Sequence, residues 1–305
     1  MSSFLGYVPG CDLIIPAEWA TAFWLSLIYN GARAGGLFDA ERMLFEYGVC
    51  RDLLLEIDTE AGKAESVARK SELMEAYFRK PPKNRSNYIK LATPYPFGVD
   101  WNRLVTDWMD TDITKSFYVL RDWRVLRSIS PGSAIPEAIQ NEPCLVFVSL
   151  SVVGHGCPQE FAMICLPHEQ DSPNGNEPVI EPVRKDPAAK ERKSLRQEHQ
   201  SELKRLARKR KAEEDNAKEE HSSLPINAAY KEKMRSLWLP VPCNLKTSFQ
   251  RSVIGFVCQG DFGLSNGRGM AKGYIVANTL PLLTKRLLIR NPAQNHYMWA
   301  ELNIC

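Results

Sequence analysis

Lys80, Lys83, Arg85 and Lys90 spread four positive charges over residues 80–90, with Tyr88 between the last two and no acid to offset them. They belong to the run KPPKNRSNYIKLATPYPF (80–97), which also holds four prolines. Cations at this spacing on an extended backbone can follow a phosphate chain, and an interleaved aromatic can stack on an unpaired base. The same pattern suits an exposed linker with solvated lysines. Tyr88 suits base stacking or pinning the strand to a core, and the apolar run after it favours pinning. Arg33, in the glycine-rich stretch NGARAGGL (30–37), is a further cation that a tight or flexible loop would present.

Other groups capable of chemistry are weaker. His155, Cys157, Cys165 and His168 are zinc-type ligands in HxC…CxxH order. Prolines interrupt that spacing, and a cysteine in an apolar run such as AMICL is ordinarily a small core residue. Asp261–Gly263 spells DFG, but no glycine-rich loop with a VAIK-type lysine and no HRD-type loop accompanies it, so it reads as a turn. GDFGLSNGRG (260–269) lacks the GK[ST] ending of a phosphate-binding loop and reads as a hairpin. The five histidines are thinly spread, and no nucleophile–base arrangement can be assembled. The residues therefore assign no catalytic group, no metal ligand and no cofactor.

The elements that would position the cations are well punctuated. Ala17–Tyr29 is apolar nearly all round, with Pro16 at its start and Gly31 beyond its end, and predicts a core helix covered on both faces. Glu60–Arg79 predicts a second helix, capped by Asp58 or Thr59 and stopped by Pro81 and Pro82. Those prolines bias residues 80–90 toward extended geometry. From Phe117 onward short β-rich segments follow at 117–120, 144–153, 160–167, 252–260, 272–278, 285–291 and 296–304, which suggests a barrel or sandwich. Residues 168–235 interrupt them. From Arg184 to Lys211 there are twelve Lys and Arg against four Asp and Glu, with only Leu195, Leu203 and Leu206 as leucines. That reads as a solvated helix flanked by disorder, though a nucleic-acid arm or an import signal ending in LARKRK is open. The expected organisation is 1–100, 101–167, the insertion 168–235, and 236–305.

The composition bounds these readings. The 305 residues are 44% hydrophobic and 25% charged, which is globular, and a net charge of +3 leaves nucleic-acid binding to local patches. The eight cysteines form no CxxC pair, and the N-terminus lacks the pattern of a signal peptide, so reduced thiols are expected. Residues 17–29 fall short of the roughly 20 apolar residues that span a bilayer, so no membrane partner is expected.

GCDLIIPAEWATAFWLSLIYNGARAGGL (10–37), followed by RKPPKNRSNYIKLATPYPF (79–97), resembles the POPLD region of the largest protein subunit of eukaryotic ribonuclease P and ribonuclease MRP, the "processing of precursors" family. IGFVCQGDFGLSNGRGMAKGYI and LLIRNPAQNHYMWAEL resemble that family's C-terminus, and the charged middle is unmatched. The same C-terminal stretch is similar to the terminal barrel of the glycine-cleavage T-protein, a folate-dependent aminomethyltransferase. Here CQ replaces the TS before its glycine and the proline after FS is missing, which supports a shared barrel more than a shared reaction. The resemblance implies an α+β fold with N-terminal helices and a mostly antiparallel C-terminal barrel. It implies a noncatalytic scaffold that binds the catalytic RNA and other protein subunits in nucleus and nucleolus, supporting precursor tRNA and ribosomal RNA processing. A folate-binding aminomethyltransferase-like protein and a pure protein-interaction module are the alternatives. RNA contacts are expected at Arg33, Lys80, Lys83, Arg85, Tyr88 and Lys90.

Overall fold

All seven segments read as strands form strands: β1 (Tyr118–Val119), β2 (Cys144–Val152), β3 (Met163–Cys165), β4 (Val253–Gly263), β5 (Arg268–Val276), β6 (Arg286–Arg290) and β7 (Tyr297–Ile304). The structure is a computed structural model and describes residues 13–46, 56–109, 116–172, 178–213, 224–240, 244–246 and 250–304. The strands run β2-β5-β4-β3-β6-β7 and β7 returns to β2, closing a six-stranded antiparallel barrel. β1 adds in parallel to Cys144–Leu145 of β2, while Val148–Val152 of the same strand pair with β7. The fold is thus α+β with an antiparallel C-terminal barrel, and residues on both sides of the charged insertion build one sheet. DFG forms the last three residues of β4 rather than the turn expected of it; the turn comes next, at residues 264–267. The extended hairpin follows from the register, which pairs Phe262 with Gly269 and Gly263 with Arg268.

Closure requires close backbone approach. A Cβ at Gly255 would lie 2.1 Å from the Tyr274 carbonyl oxygen, and one at Gly273 would lie 2.2 Å from that of Phe256. Glycine lets β4 and β5 coil tightly, helped by a register shift between Val257 and Gln259. Both faces of β2, β3, β5 and β6 are largely buried, while β7 and the end of β4 keep partly exposed positions. Phe147, Tyr274, Phe256 and Met163 form a row across four strands. Helix α4 (Trp101–Met109) sets Trp101 edge-on to Phe256 and Tyr274, and its Trp108 indole donates to the Val253 carbonyl at 2.7 Å.

The N-terminal helices lie where expected, but one is not packed as expected. Helix α1 (Ala20–Tyr29), entered through a 3₁₀ turn at Ala17–Trp19, buries no residue. Trp19, Trp24 and Tyr29 are 60%, 53% and 87% exposed. An all-round apolar helix needs cover, and none of the described residues of this chain supplies it. Helix α2 (Leu37–Glu46) sits on the β4–β5 hairpin. Arg42 bonds the Phe262 carbonyl, and Glu46 accepts from the Leu264 and Ser265 amides. Helix α3 (Glu60–Arg79) has the predicted ends, with Thr59 accepting from the Gly62 amide as its cap. None of the helices among the described residues is long and apolar enough to cross a membrane.

Ion pairs lash loops to the barrel. Arg121 forks onto Asp58 at 2.6 and 2.7 Å, beside buried Glu56, which accepts from the Tyr274 hydroxyl. Arg251 forks onto Asp171 at 2.6 and 2.8 Å. The Arg251 hydrogen bonds hold the Asp171 carboxyl below its ordinary range. At Asp58 burial pushes upward, but Arg121 and the Val119 amide outweigh it and the carboxyl is again lowered. A depressed folded pKa contributes stability that is complete above the unfolded value, about 4, and is lost as pH falls through the folded value. Thermal melts should therefore hold steady from pH 7 to about 5 and fall below about 4, and Asp171→Asn should flatten the acid side of that profile.

Candidate nucleic-acid interface

Residues 80–97 do not stay extended. Lys80 and Pro81 have polyproline-like angles, and then Pro82–Asn84 turn in a 3₁₀ helix. A second turn at 87–93 is closed by Thr93 N–H bonding to the Tyr88 carbonyl, with Ala92 at φ 54°. The cause is Arg85. Its Nε donates to the Lys80 carbonyl at 2.8 Å and its Nη2 to the Phe78 carbonyl at 2.6 Å. These supply donors at a helix end whose last carbonyls lack partners within the helix. The chain must fold back for one side chain to reach both.

The folded segment is stitched to three neighbours. The Tyr77 hydroxyl donates to the Ser86 carbonyl, and the Tyr88 ring packs 5.4 Å from Tyr77 and 5.5 Å from Phe97. Tyr88 is therefore in the pinning arrangement. On the barrel side, buried Arg290 donates to the Leu91 carbonyl and Thr93 Oγ1 to the Pro292 carbonyl. On the insertion side, Arg184 N–H reaches the Lys90 carbonyl and Asn87 Nδ2 donates to Asp186 at 2.7 Å.

The insertion is more structured than its charge suggests. After the short α5 (Trp123–Ser128), which precedes the insertion, its described residues form two helices, α6 (Ala189–Glu213) and α7 (Leu224–Trp238), the first largely solvated as expected; the segment 214–223, where disorder was expected, lies outside the described residues. The start of α6 is docked. Arg192 is buried, pairs with Asp186 and donates to the Leu237 carbonyl. Leu195 of α6 joins Tyr230, Met234 and Trp238 of α7 against Tyr77 and Phe97, a second small core. Burial works against ionising Asp186, yet Arg192 and Asn87 hold its carboxyl below the ordinary range.

Arginines collect round the aromatics of this core. Arg85 and Arg235 each lie 5.2 Å from the Phe78 ring centre, while Arg192 at 4.4 Å and Arg85 at 5.6 Å flank Trp238. Burial lowers the Arg85 pKa, and the nearby charges of Arg196 and Arg235 lower it further. Lys80, Lys83 and Lys90 are exposed on the same segment. Arg33 is exposed too, but no contact among the described residues joins it to this cluster; it precedes α2, which is held at the β4–β5 hairpin.

Sequence reading singled out none of Arg192, Arg196 and Arg235, although the first two lie in the basic run 184–211 for which a nucleic-acid arm was left open. The i, i+4 spacing of Arg192 and Arg196 was a usable signal, whereas Arg235 shares α7 with Lys231 and Lys233 and nothing in the sequence set it apart. The zinc-type set is not brought together: no three His, Cys, Asp or Glu side chains among the described residues gather as a metal site. Cys165 is wholly buried, its thiol pushed up to about 12 by desolvation, and the His168 ring meets the Gln250 carbonyl.

Comparisons with known proteins cover almost the whole chain. A family model described as the POP1 C-terminal domain matches residues 144–305, and the POPLD (NUC188) domain matches residues 10–101. The chain is 28% identical to the ribonucleases P/MRP protein subunit popl-1 of Caenorhabditis elegans, over 97% of this chain and 46% of that protein. It is 24% identical to the ribonucleases P/MRP protein subunit POP1 of Homo sapiens, over 98% of this chain and 40% of that protein. The chain thus spans less than half the length of either relative. Arg85 lies in the POPLD match, and Arg192, Arg196 and Arg235 lie in the POP1 C-terminal match.

Removing one partner of a buried pair leaves the other charge uncompensated. Asp186→Asn should cost about 3 kcal/mol in urea unfolding and loosen residues 80–90 to proteolysis, whereas Glu191→Gln on the exposed side of α6 should change neither.

Proposed function

The chain belongs to the POP1 C-terminal domain family, and on that premise we propose that it is a noncatalytic, RNA-binding scaffold subunit of a ribonuclease P/MRP-type ribonucleoprotein. In this reading it acts in nucleus and nucleolus, supports precursor tRNA and ribosomal RNA processing, and leaves the cleavage step to the RNA. The carrying observation is the folded segment 80–90, which turns Lys80, Lys83 and Lys90 outward while Arg85 and Tyr88 hold it to the helices. The lysines act as point charges on phosphates, and Arg85 fixes their spacing. Tyr88, whose ring packs with Tyr77 and Phe97, serves as an anchor.

The test is RNA binding by the purified chain across salt concentrations, with a ribonuclease P RNA core and a structured RNA of equal length. Each lysine that neutralises a phosphate adds roughly 0.9 to the slope of log affinity on log salt. Changing Lys80, Lys83 and Lys90 together to Gln should lower that slope by about 2–3 without altering the melt. An unchanged slope sinks the assignment of these lysines.

A second contact, with another protein subunit of the same complex, is supported by the apolar side chains that α1 exposes. Trp24→Arg should leave the melting temperature of the isolated chain unchanged and weaken its co-assembly with the complex's other protein subunits. A drop in the melt would instead make the helix part of this chain's own core.

A further inference from the structure

We infer that Arg85 and Arg235, which share the Phe78 ring, form with Arg196, one turn beyond docked Arg192 on α6, a phosphate-binding site that the charged insertion completes, and that its ligand is a backbone phosphate of RNA. The inference rests on the RNA-binding reading and adds a site that segment 80–90 does not form alone.

The first support is geometry. Two guanidiniums from different elements share one ring: Arg85 from the loop after α3 and Arg235 from α7 each lie 5.2 Å from the Phe78 centre. A guanidinium held against a ring keeps a fixed plane, and its N–H edges remain for an acceptor. Arg85 uses Nε and Nη2 on carbonyls, and its Nη1 has no acceptor among the described residues. Arg235 and Arg196 are exposed.

The second support is charge. Arg85, Arg196 and Arg235 lie close enough that the latter two disfavour the charged form of the first. The buried carboxylate of this region, Asp186, is taken by Arg192 and Asn87. Arg196 and Arg235 form no ion pair among the described residues. Trp238 adds to the excess of donors, since its buried indole N–H has no acceptor among those residues. Like charges held together by packing, with donors in surplus, fit a bound anion that accepts several hydrogen bonds.

The third support selects the ligand. Lys80 and Lys83 extend the positive surface along the loop that carries Arg85. Phe78 and Trp238 are engaged by arginines, so the site offers charge and donors rather than an apolar groove for a peptide. A chain of phosphates spans such a surface, and the forked guanidinium suits the phosphate oxygens.

Two measurements on the whole chain test this. The first compares inorganic phosphate with chloride at matched ionic strength in thermal melts. The wild type should show a saturable rise specific to phosphate, and Arg196→Gln with Arg235→Gln should abolish it while leaving the melt in chloride unchanged. Absence of that rise in the wild type, or its persistence in the double variant, overturns the site. The second is the salt dependence of binding to the ribonuclease P RNA core. The double variant should weaken binding about tenfold and lower the slope by about 1, as for one lost phosphate contact. If the lysine variant loses slope and the arginine variant does not, RNA binding stands and this site falls. If neither loses slope, the RNA-binding reading fails with it. Competition by an acidic peptide as strong as by oligouridylate of equal charge would reassign the site to a protein ligand and overturn the proposal.

Discussion

One buried carboxylate joins the loop after α3 to the root of the charged insertion, 99 residues further along the chain. Asp186 accepts from Asn87 in the loop after α3, from Arg192 in the first turn of α6 and from its own Ala188 amide. Without that acceptor the guanidinium of Arg192 would be buried unpaired, which a fold tolerates poorly. With it, the insertion is fixed at its root, and Leu195 is carried onto Tyr77, Phe97 and Trp238. The small core and everything around it depend on this one junction.

The junction also explains how so basic a region stays folded. Arginines in contact repel, and residues 80–97 contain no acid to relieve them. The structure spreads the guanidiniums over ring faces and backbone carbonyls instead. Arg85 caps α3, Arg192 stacks on Trp238, and Arg235 stacks on Phe78. Each guanidinium is set over a ring. The lysines, with more strongly hydrated heads, stay outside. The division between anchoring arginines and outward lysines follows from the hydration of the two side chains.

The barrel was legible because its information is local. Each strand carries its own run of β-branched and aromatic residues between Gly, Pro or Asn, so seven segments could be read one at a time. The ends of α3 were legible for the same reason, through Thr59 and Pro81. Four features were not. Residues 80–90 read as extended because the prolines are local signals, while the Arg85 bonds that fold them back depend on the helix end. Arg235 became part of the site only through α7 packing on α3, a contact across more than a hundred residues of sequence. The cover expected over α1 was inferred from composition, which states that apolar surface must be buried but not by which molecule. Arg33, legible as an exposed loop cation, gave no hint of its separation from the cluster.

Two surfaces of this chain are ill suited to water, in opposite ways. Helix α1 and its 3₁₀ entry expose aromatics and aliphatics, with no charged residue in α1 itself, and the α3–α6–α7 junction presents cations and donors with too few acceptors. A stable monomer gains nothing from either. Apolar surface favours burial against another apolar surface, and clustered cations favour a polyanion whose counterions are released on contact. The first demands shape and the absence of water, and the second demands charge and tolerates water well. One ligand does not satisfy both. Under the proposed function the two features take two unlike neighbours, a protein at α1 and an RNA at the junction. The demands are separate because nothing among the described residues covers α1, whereas the junction is tied to the closed barrel through Arg290–Leu91 and Thr93–Pro292.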